Sequence, residues 1–246
     1  MFRHKGNTRT FGHNLKLASS LSFVAGIVNI CGLFAFATLT TNVTGHFGYF
    51  ADEIVKNDYS KAIIYINYIL FFLLGAFCSS LMSEYFLKKH PKAPHFLPLT
   101  LEFILLTVIG FGDFIFRDEN QFFEIGSYIL LFTMGLQNAL VTKVSQSIVR
   151  TTHLTGLFTD LGIELSQLFF YRKTEEKNKL FKSIYLKISI ISFFFLGGII
   201  GGFAYQELKL RTLLIASLVV ALILFMDYFA VNFFSLKRKF RKKLAF

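Results

Sequence analysis

The sequence predicts an all-α integral membrane protein in which six transmembrane helices form two inverted three-helix repeats within a single domain, residues 1–246. Three observations lead to this fold class. Apolar residues make up 54% of the chain and charged residues 17%, with a mean hydropathy of +0.54, whereas soluble domains average about 45–50% and about 25%. Six apolar runs are long enough to cross a bilayer, and one six-residue motif occurs twice in corresponding places.

The predicted spans follow from length and composition. A helix that crosses the roughly 30 Å hydrocarbon core needs about 20 mostly apolar residues. The runs that meet this requirement lie at approximately 16–40, 62–84, 97–117, 124–145, 184–205 and 211–234. Repeat 1 then covers about 14–117 and repeat 2 about 121–235, followed by a basic tail at 236–246.

The basic residues predict the orientation, because lysine and arginine are enriched in cytoplasmic loops. With a cytoplasmic N-terminus, the inner segments hold four, three, eight and six of the 26 basic residues, and the outer segments hold the other five. We therefore expect both termini, including the basic tail, to be cytoplasmic. The net charge of +11 is explained by the membrane surface, so no nucleic-acid partner is expected.

The internal repeat is carried by two hexamers. Thr40-Thr41-Asn42-Val43-Thr44-Gly45 reappears as Thr151-Thr152-His153-Leu154-Thr155-Gly156, and upstream Gly26-Ile27-Val28-Asn29 is echoed by Gly135-Leu136-Gln137-Asn138. Each half holds three predicted spans. Because an odd number of crossings ends on the opposite side of the membrane, the second half enters it from the other side. This inverted arrangement is common in secondary transporters. The alternative is that duplication only produced a stable six-helix bundle.

Each hexamer predicts a helix, a break and a shorter, broken or re-entrant helix. Glycine tolerates a break in a helix, and threonine can cap the helix that follows. The N-terminus of the short helix would present free N–H groups to an anionic or polar ligand. The alternative is a capped turn at the membrane surface.

Two asparagines in apolar helices complete the candidate solute-binding site. An intramembrane amide either hydrogen-bonds across a close helix contact or faces a ligand. On the second interpretation, the candidate substrate-binding residues are Asn29, Thr41, Thr44 and Gly45 of the first half and Asn138, Thr152, Thr155 and Gly156 of the second.

Two further patterns concern packing and charge. The segment Gly197–Gly202 contains two overlapping GxxxG patterns, which predict close helix packing, and leucine at Gly198 or Gly202 is expected to push helices apart. Asp160 and Glu164 lie one helical turn apart and are expected to pair with Arg150 or Lys143.

Recognisable catalytic chemistry is not predicted. The chain has no HExxH, Walker, GxGxxG or GxSxG motif, and its six histidines lack metal-ligand spacing. Cys31 and Cys78 fall inside apolar runs, where cysteine behaves as a small hydrophobic residue. We therefore expect no enzyme, no catalytic residue, no metal and no cofactor.

The two hydrophobic halves, the segment Thr41–His46 and the segment 135–156 resemble the YoaK family of bacterial multi-pass membrane proteins. The similarity covers roughly residues 14–235. The resemblance implies a multi-pass protein of the bacterial inner membrane. It implies a fold but no activity, because the function of that family is uncharacterised. Members of that family commonly have Asn at the position of His46 and often Asp at that of Asn29, so proton coupling through Asn29 is not expected.

The sequence thus favours a small-solute transporter or channel-like protein with a polar site between the two repeats. Its expected partners are the lipid bilayer and a small polar or anionic solute, and a homo-oligomer is compatible with the pattern. The alternative is a non-transporting membrane scaffold or assembly subunit. That alternative is supported by the lack of buried unpaired charge in the sequence pattern.

Overall fold

The computed structural model describes residues 10–89, 95–115, 119–170 and 174–243. Within these ranges the regular structure is entirely helical. The helices are α1 (Phe11–Phe36), α2 (Val43–Val55), α3 (Tyr59–Lys89), α4 (Phe96–Gly110), α5 (Gly112–Ile115), α6 (Glu119–Ser145), α7 (Leu154–Gln167), α8 (Thr174–Leu208) and α9 (Leu213–Lys243), with a 3₁₀ turn at Lys209–Thr212 between the last two.

Four segments of the described chain are long and apolar enough to cross a membrane: Phe11–Phe36, Tyr59–Lys88, Phe122–Ser145 and Glu175–Phe229. The last is 55 residues long and covers α8 from Glu175 onward together with α9 as far as Phe229. The predicted third span, 97–117, is shorter than expected, because α4 ends at Gly110 after 15 residues. At about 1.5 Å per residue, such a helix covers only about 22 Å.

The surface agrees with a membrane protein. Large apolar side chains are exposed along the long helices, among them Phe77 at 61%, Phe195 at 64% and Phe203 at 69%. An extended apolar surface of this kind is unfavourable in water and favourable against lipid tails. The chain is therefore an all-α membrane protein.

Helix packing follows two long seams, α1 against α8 and α3 against α6. Both seams depend on glycine. A Cβ atom on Gly26 or Gly197 would strike backbone of the opposite helix in the first seam, and one on Gly75 or Gly135 would do so in the second. Small residues let transmembrane helices approach until their backbones touch. The short helices α2 and α7 lie against α3 and α8, and α4 packs against α9.

The chain breaks after α1 and after α6, as the hexamers predict. α1 ends at Phe36, Ala37 is left-handed with φ 49°, and α2 begins at Val43. After α6, Gln146 and Ser147 are both left-handed, with φ 55° and 64°, and α7 begins at Leu154. The hexamers therefore end inside the first turn of each short helix, slightly later than the break itself.

The charged ends of the chain are only partly described. Residues 236–243 of the predicted basic tail continue α9 as a helix. Residues 1–9, 90–94, 116–118, 171–173 and 244–246 lie outside the described ranges, and with them several of the lysines and arginines that predict the orientation.

Candidate functional site

The first hexamer is tied to the helix that precedes it by Asn29. The backbone N–H and the hydroxyl of Thr41 both donate to Asn29 Oδ1, at 3.2 and 2.9 Å. Asn29 lies on α1, twelve residues before Thr41. Its side-chain amide therefore anchors the non-helical segment between α1 and α2 to α1. Sequence reasoning placed these two residues in one site, and the structure brings them together.

The second hexamer is held by a residue that sequence reasoning missed. The side-chain amide of Gln137 donates to Thr151 Oγ1 at 3.3 Å and to the carbonyl of Leu21 at 2.9 Å. Gln137 and Thr151 are fully buried. The sequence offers one signal for Gln137, which is its position beside Asn138 in an apolar helix. Asn138 was selected as a site residue because it corresponds to Asn29 in the repeat.

The hexamers themselves have matching environments. Thr44 and Thr155 are exposed, and Thr41 and Thr152 are half-buried. Asn42 caps α2, because its Oδ1 accepts from the N–H of Gly45 at 3.1 Å. The expectation that threonine provides this cap is therefore wrong for the first hexamer.

Gly45 and Gly156 each lie close to the side chain of the residue that begins the turn. A Cβ on Gly45 would meet the side chain of Asn42, and one on Gly156 would meet the ring of His153. The same close approach occurs at both positions. Each glycine therefore leaves room for the side chain of the N-cap residue, which folds back over the first turn of the helix. No bound group is needed to explain them.

Two grooves lie along the two helix seams. The first has a volume of about 450 Å³, runs between α1 and α8, and is mostly apolar. Its lining residues are Gly26, Asn29, Ile30, Phe34, Phe194, Phe195, Gly198, Ile199, Gly202, Phe203 and Gln206.

The second groove has a volume of about 590 Å³ and runs between α3 and α6. It is lined by Ala76, Ser80, Glu84, Asn138, Ala139, Thr142, Lys143, Gln146 and Ser147. Lys143 Nζ pairs with Glu84 Oε1 at 2.7 Å and lies 3.3 Å from Ser80 Oγ. The Oδ1 atom of Asn138 is buried and has no hydrogen-bond partner.

The eight predicted site residues are thus distributed over several places. Asn29 and Asn138 line different grooves, and the Thr and Gly members of the set line neither of these two grooves. Direct hydrogen bonds connect Asn29 with Thr41 only, among the pairs of this set. Binding of a solute by these residues stays a prediction.

The expected pairing of Glu164 with Arg150 or Lys143 is wrong. Glu164 Oε1 is 2.6 Å from Lys187 Nζ on α8 and accepts from Ser183 Oγ at 2.6 Å. Lys143 pairs instead with Glu84 on α3. Glu164 and Lys187 are 23 residues apart in the sequence, so no local pattern predicts their pairing. The pair forms because α7 packs against α8.

A second feature absent from the sequence reasoning surrounds His46, on α2. The ring is buried against Tyr68 and Tyr65, with centroid distances of 5.1 and 6.4 Å, and Nε2 lies 3.0 Å from the carbonyl of Leu39. Burial lowers the pKa of His46 below its ordinary value of 6.5, and the carbonyl contact acts in the opposite direction. The residue is therefore neutral at pH 7.

No cluster of three or more histidine, cysteine, aspartate or glutamate side chains occurs in the described part of the chain, and Cys31 and Cys78 are free thiols there.

Comparison with known proteins identifies one family. The family model described as a protein of unknown function, DUF1275, matches residues 17–226. This match agrees with the similarity to the YoaK family of uncharacterised membrane proteins. No curated protein and no solved structure matches the chain.

Proposed function

The chain belongs to the DUF1275 family, and within that family we propose that it is a small-solute transporter whose six transmembrane helices form two inverted repeats. The proposed solute site is the polar groove between α3 and α6. In this proposal both termini are cytoplasmic, the membrane is the bacterial inner membrane, and the protein is not an enzyme.

The packing pattern supports the inverted repeat. Exchanging α1 with α6, α3 with α8, α2 with α7 and α4 with α9 converts the α1–α8 seam into the α6–α3 seam. The same exchange converts the α2–α3 packing into α7–α8 and the α4–α6 packing into α9–α1. Such an arrangement is expected when two homologous halves enter the membrane from opposite sides.

The glycine contacts support the same alignment in finer detail. Gly26 approaches Phe194 as Gly135 approaches Phe72, with a backbone carbonyl as the nearest atom in each case. Gly197 approaches Phe23 as Gly75 approaches Phe132. These four contacts align residue 26 with 135 and residue 75 with 197, which also aligns Asn29 with Asn138.

The observation that carries the function is the divergence of the two equivalent grooves. At aligned positions, Phe34, Gly202 and Gln206 of the apolar groove correspond to Lys143, Ser80 and Glu84 of the polar groove. Polar and charged side chains in membrane helices are expensive and usually line a pathway or a site. Packing alone does not require them here, because the apolar groove forms an equivalent seam without them.

The polar groove suits a small neutral or zwitterionic solute. Lys143 and Glu84 offer one charge of each sign, and the unpartnered Asn138 Oδ1 offers an acceptor for an N–H or O–H group of the solute. Thr41, Thr44 and Gly45, with Thr152, Thr155 and Gly156, remain candidates for the ends of the pathway, because they lie in the first turns of α2 and α7 or just before them.

Cysteine accessibility tests this proposal with a matched pair of positions. In a background in which Cys31 and Cys78 are alanine, cysteine is placed at Ser80 in the polar groove and at the aligned Gly202 in the apolar groove. A membrane-impermeant maleimide should label Ser80→Cys and leave Gly202→Cys unlabelled. Equal reactivity at both positions, or none at either, would favour the scaffold alternative.

The inverted repeat has its own accessibility test. In the same background, Thr44→Cys and Thr155→Cys, both at exposed positions, should be labelled from opposite sides when intact cells are compared with inverted membrane vesicles. Labelling from one side only would contradict the inverted arrangement and leave the groove experiment unaffected.

A further inference from the structure

Glu102 is the most deeply buried carboxyl group among the described residues, and the proposed function does not use it. Its relative exposure is 0%, and neither carboxyl oxygen has a hydrogen-bond partner. It lies on α4, within the buried face that also contains Leu99, Leu106 and Ile109. An ionised carboxylate without a partner is not stable in such surroundings, so the group is held as the neutral acid.

Among the described residues, the charged groups on the elements packed against α4 include no buried cation. The elements packed against α4 are α3, α5, α6, α9 and the 3₁₀ turn. Their buried titratable side chains, among those described, are Tyr68 of α3 and Asp227 of α9. The other described lysine, arginine and glutamate side chains on these elements are exposed: Lys61, Glu84, Lys88, Glu124, Lys143, Lys209 and Arg211.

A buried histidine–aspartate pair lies on the same side of α4. His95 precedes Glu102 by seven residues, which is two helical turns, or about 10 Å along the axis, on the same face. His95 Nε2 is 3.2 Å from Asp227 Oδ2 of α9, and the two side chains are only 2% and 5% exposed. In the opposite direction, Thr107 and Ser217 hydrogen-bond across the same interface at 2.7 Å.

His95, Glu102 and Thr107 therefore place three polar groups along α4, and the first and the last of them contact α9. Intramembrane ionisable residues of this kind are usually functional, and chains of acid and histidine side chains serve as proton relays. The His95–Asp227 pair lies where α4 begins and two residues before Phe229, where the long apolar segment of α8 and α9 ends. Histidine is suited to this position because it can accept and return a proton near pH 7.

We propose that Glu102 is a proton-binding site that exchanges its proton with water through the His95–Asp227 end of the α4–α9 interface. The exchange breaks the O–H bond of the neutral carboxyl, passes the proton to water or to the His95–Asp227 pair, and leaves a carboxylate that takes up a proton by the reverse route. No oxidant, reductant or bound solute is involved. The proposal goes beyond the transporter function and does not depend on it.

Infrared spectroscopy of the purified full-length protein in lipid vesicles tests the proposal. A protonated carboxylic acid has a C=O stretching band, separate from those of amides and carboxylates, that shifts when its proton is replaced by deuterium. Wild-type protein should show such a band, and Glu102→Gln should lack it. Transfer to D₂O should shift the band, and the rate of this shift measures proton exchange at Glu102.

Two further variants test the route. The double variant His95→Gln/Asp227→Asn keeps hydrogen-bonding side chains of similar size at both positions and should slow exchange at least tenfold. Thr107→Val, at the other end of the interface, should leave the rate within twofold of wild type. The proposal is overturned if Glu102→Gln retains the band, if the double variant exchanges at the wild-type rate, or if Thr107→Val slows exchange equally. If the double variant does not fold, His95→Gln alone is measured against the same criterion.

Discussion

Two adjacent glycines of α8 provide the most exacting test of the packing. An ideal Cβ on Gly197 would lie 2.2 Å from the carbonyl oxygen of Phe23 on α1, whereas the nearest atom to a Cβ on Gly198 is the carbonyl oxygen of Gly26, at 3.9 Å. Real Cβ atoms essentially never come within 3.0 Å of such a neighbour. The Gly197→Ala substitution therefore requires α1 and α8 to separate by about 0.8 Å, because a backbone atom cannot rotate away as a side chain would.

The cost follows from the lost contacts along the seam. A gap of about 0.5–1 Å forfeits roughly a quarter to a half of each dispersion contact that it affects, and forced overpacking typically costs about 1–3 kcal/mol. Because the struck atom is backbone, we expect the upper end, about 3 kcal/mol. The higher helix propensity of alanine returns about 1 kcal/mol. Gly197→Ala should therefore lower the free energy of unfolding by about 2 kcal/mol, and Gly198→Ala should leave it unchanged or raise it slightly.

The assay is thermal unfolding of both variants in the same detergent. For a chain of this size, about 2 kcal/mol corresponds to a decrease in Tm of about 4–8 °C. Equal melting temperatures for Gly197→Ala and Gly198→Ala would refute the orientation of α8 about its own axis, which directs Gly197 and not Gly198 at α1. The expectation that leucine at Gly198 or Gly202 pushes helices apart stays a prediction; the structure adds that Gly197 makes a closer contact than either, since a Cβ at Gly198 or Gly202 has ordinary van der Waals room.

Three other predictions use the same measurement. Asn42→Ala removes the cap of α2 and should lower the free energy of unfolding by about 1 kcal/mol. Thr44→Ala, at an exposed position, should leave the free energy of unfolding unchanged. Equal effects of the two substitutions would contradict the assignment of Asn42 as the cap. Glu164→Gln should destabilise by about 2 kcal/mol because Lys187 loses its partner in a largely buried site, and the double variant with Lys187→Met should recover most of this loss; no recovery would argue against the pair. Because burial lowers the pKa of His46, its unfolded form takes up a proton first as pH falls below about 6.5. Wild-type Tm should therefore fall more than that of His46→Gln between pH 7.5 and pH 5.5, and parallel decreases would contradict this reasoning.

Much of the fold follows from local sequence. The four long apolar segments were predictable because a helix in lipid satisfies its own backbone hydrogen bonds and needs only length and apolar side chains. The pattern of a long helix, a break and a short helix was predictable at both hexamers, since glycine and polar cap residues mark helix boundaries wherever they occur. The end of α4 at Gly110 was missed, because apolar residues continue on both sides of Asp113 as far as Phe116.

The candidate site was less predictable, because it depends on which face of each helix meets a neighbour. The sequence identified Asn29, Asn138 and the glycine-rich stretch of α8 as interfacial residues by their type alone. It did not distinguish Gly197 from Gly198, since neighbouring residues on a helix point about 100° apart and only docking decides which one meets α1. The pairing of Lys143 with Glu84, and of Glu164 with Lys187, likewise joins residues that are distant in the chain.

By itself, the sequence determined that the protein is an apolar, helical chain in which one hexamer occurs twice, each time next to a break between helices. These properties depend on composition and on interactions within one or two helical turns. Only the tertiary structure decided that the two asparagines line different grooves, that one groove is polar, and that Glu102 has no partner. The reason is physical: burial, pairing and isolation of a polar group are properties of the rotation and separation of packed helices, and no local pattern of residues specifies them.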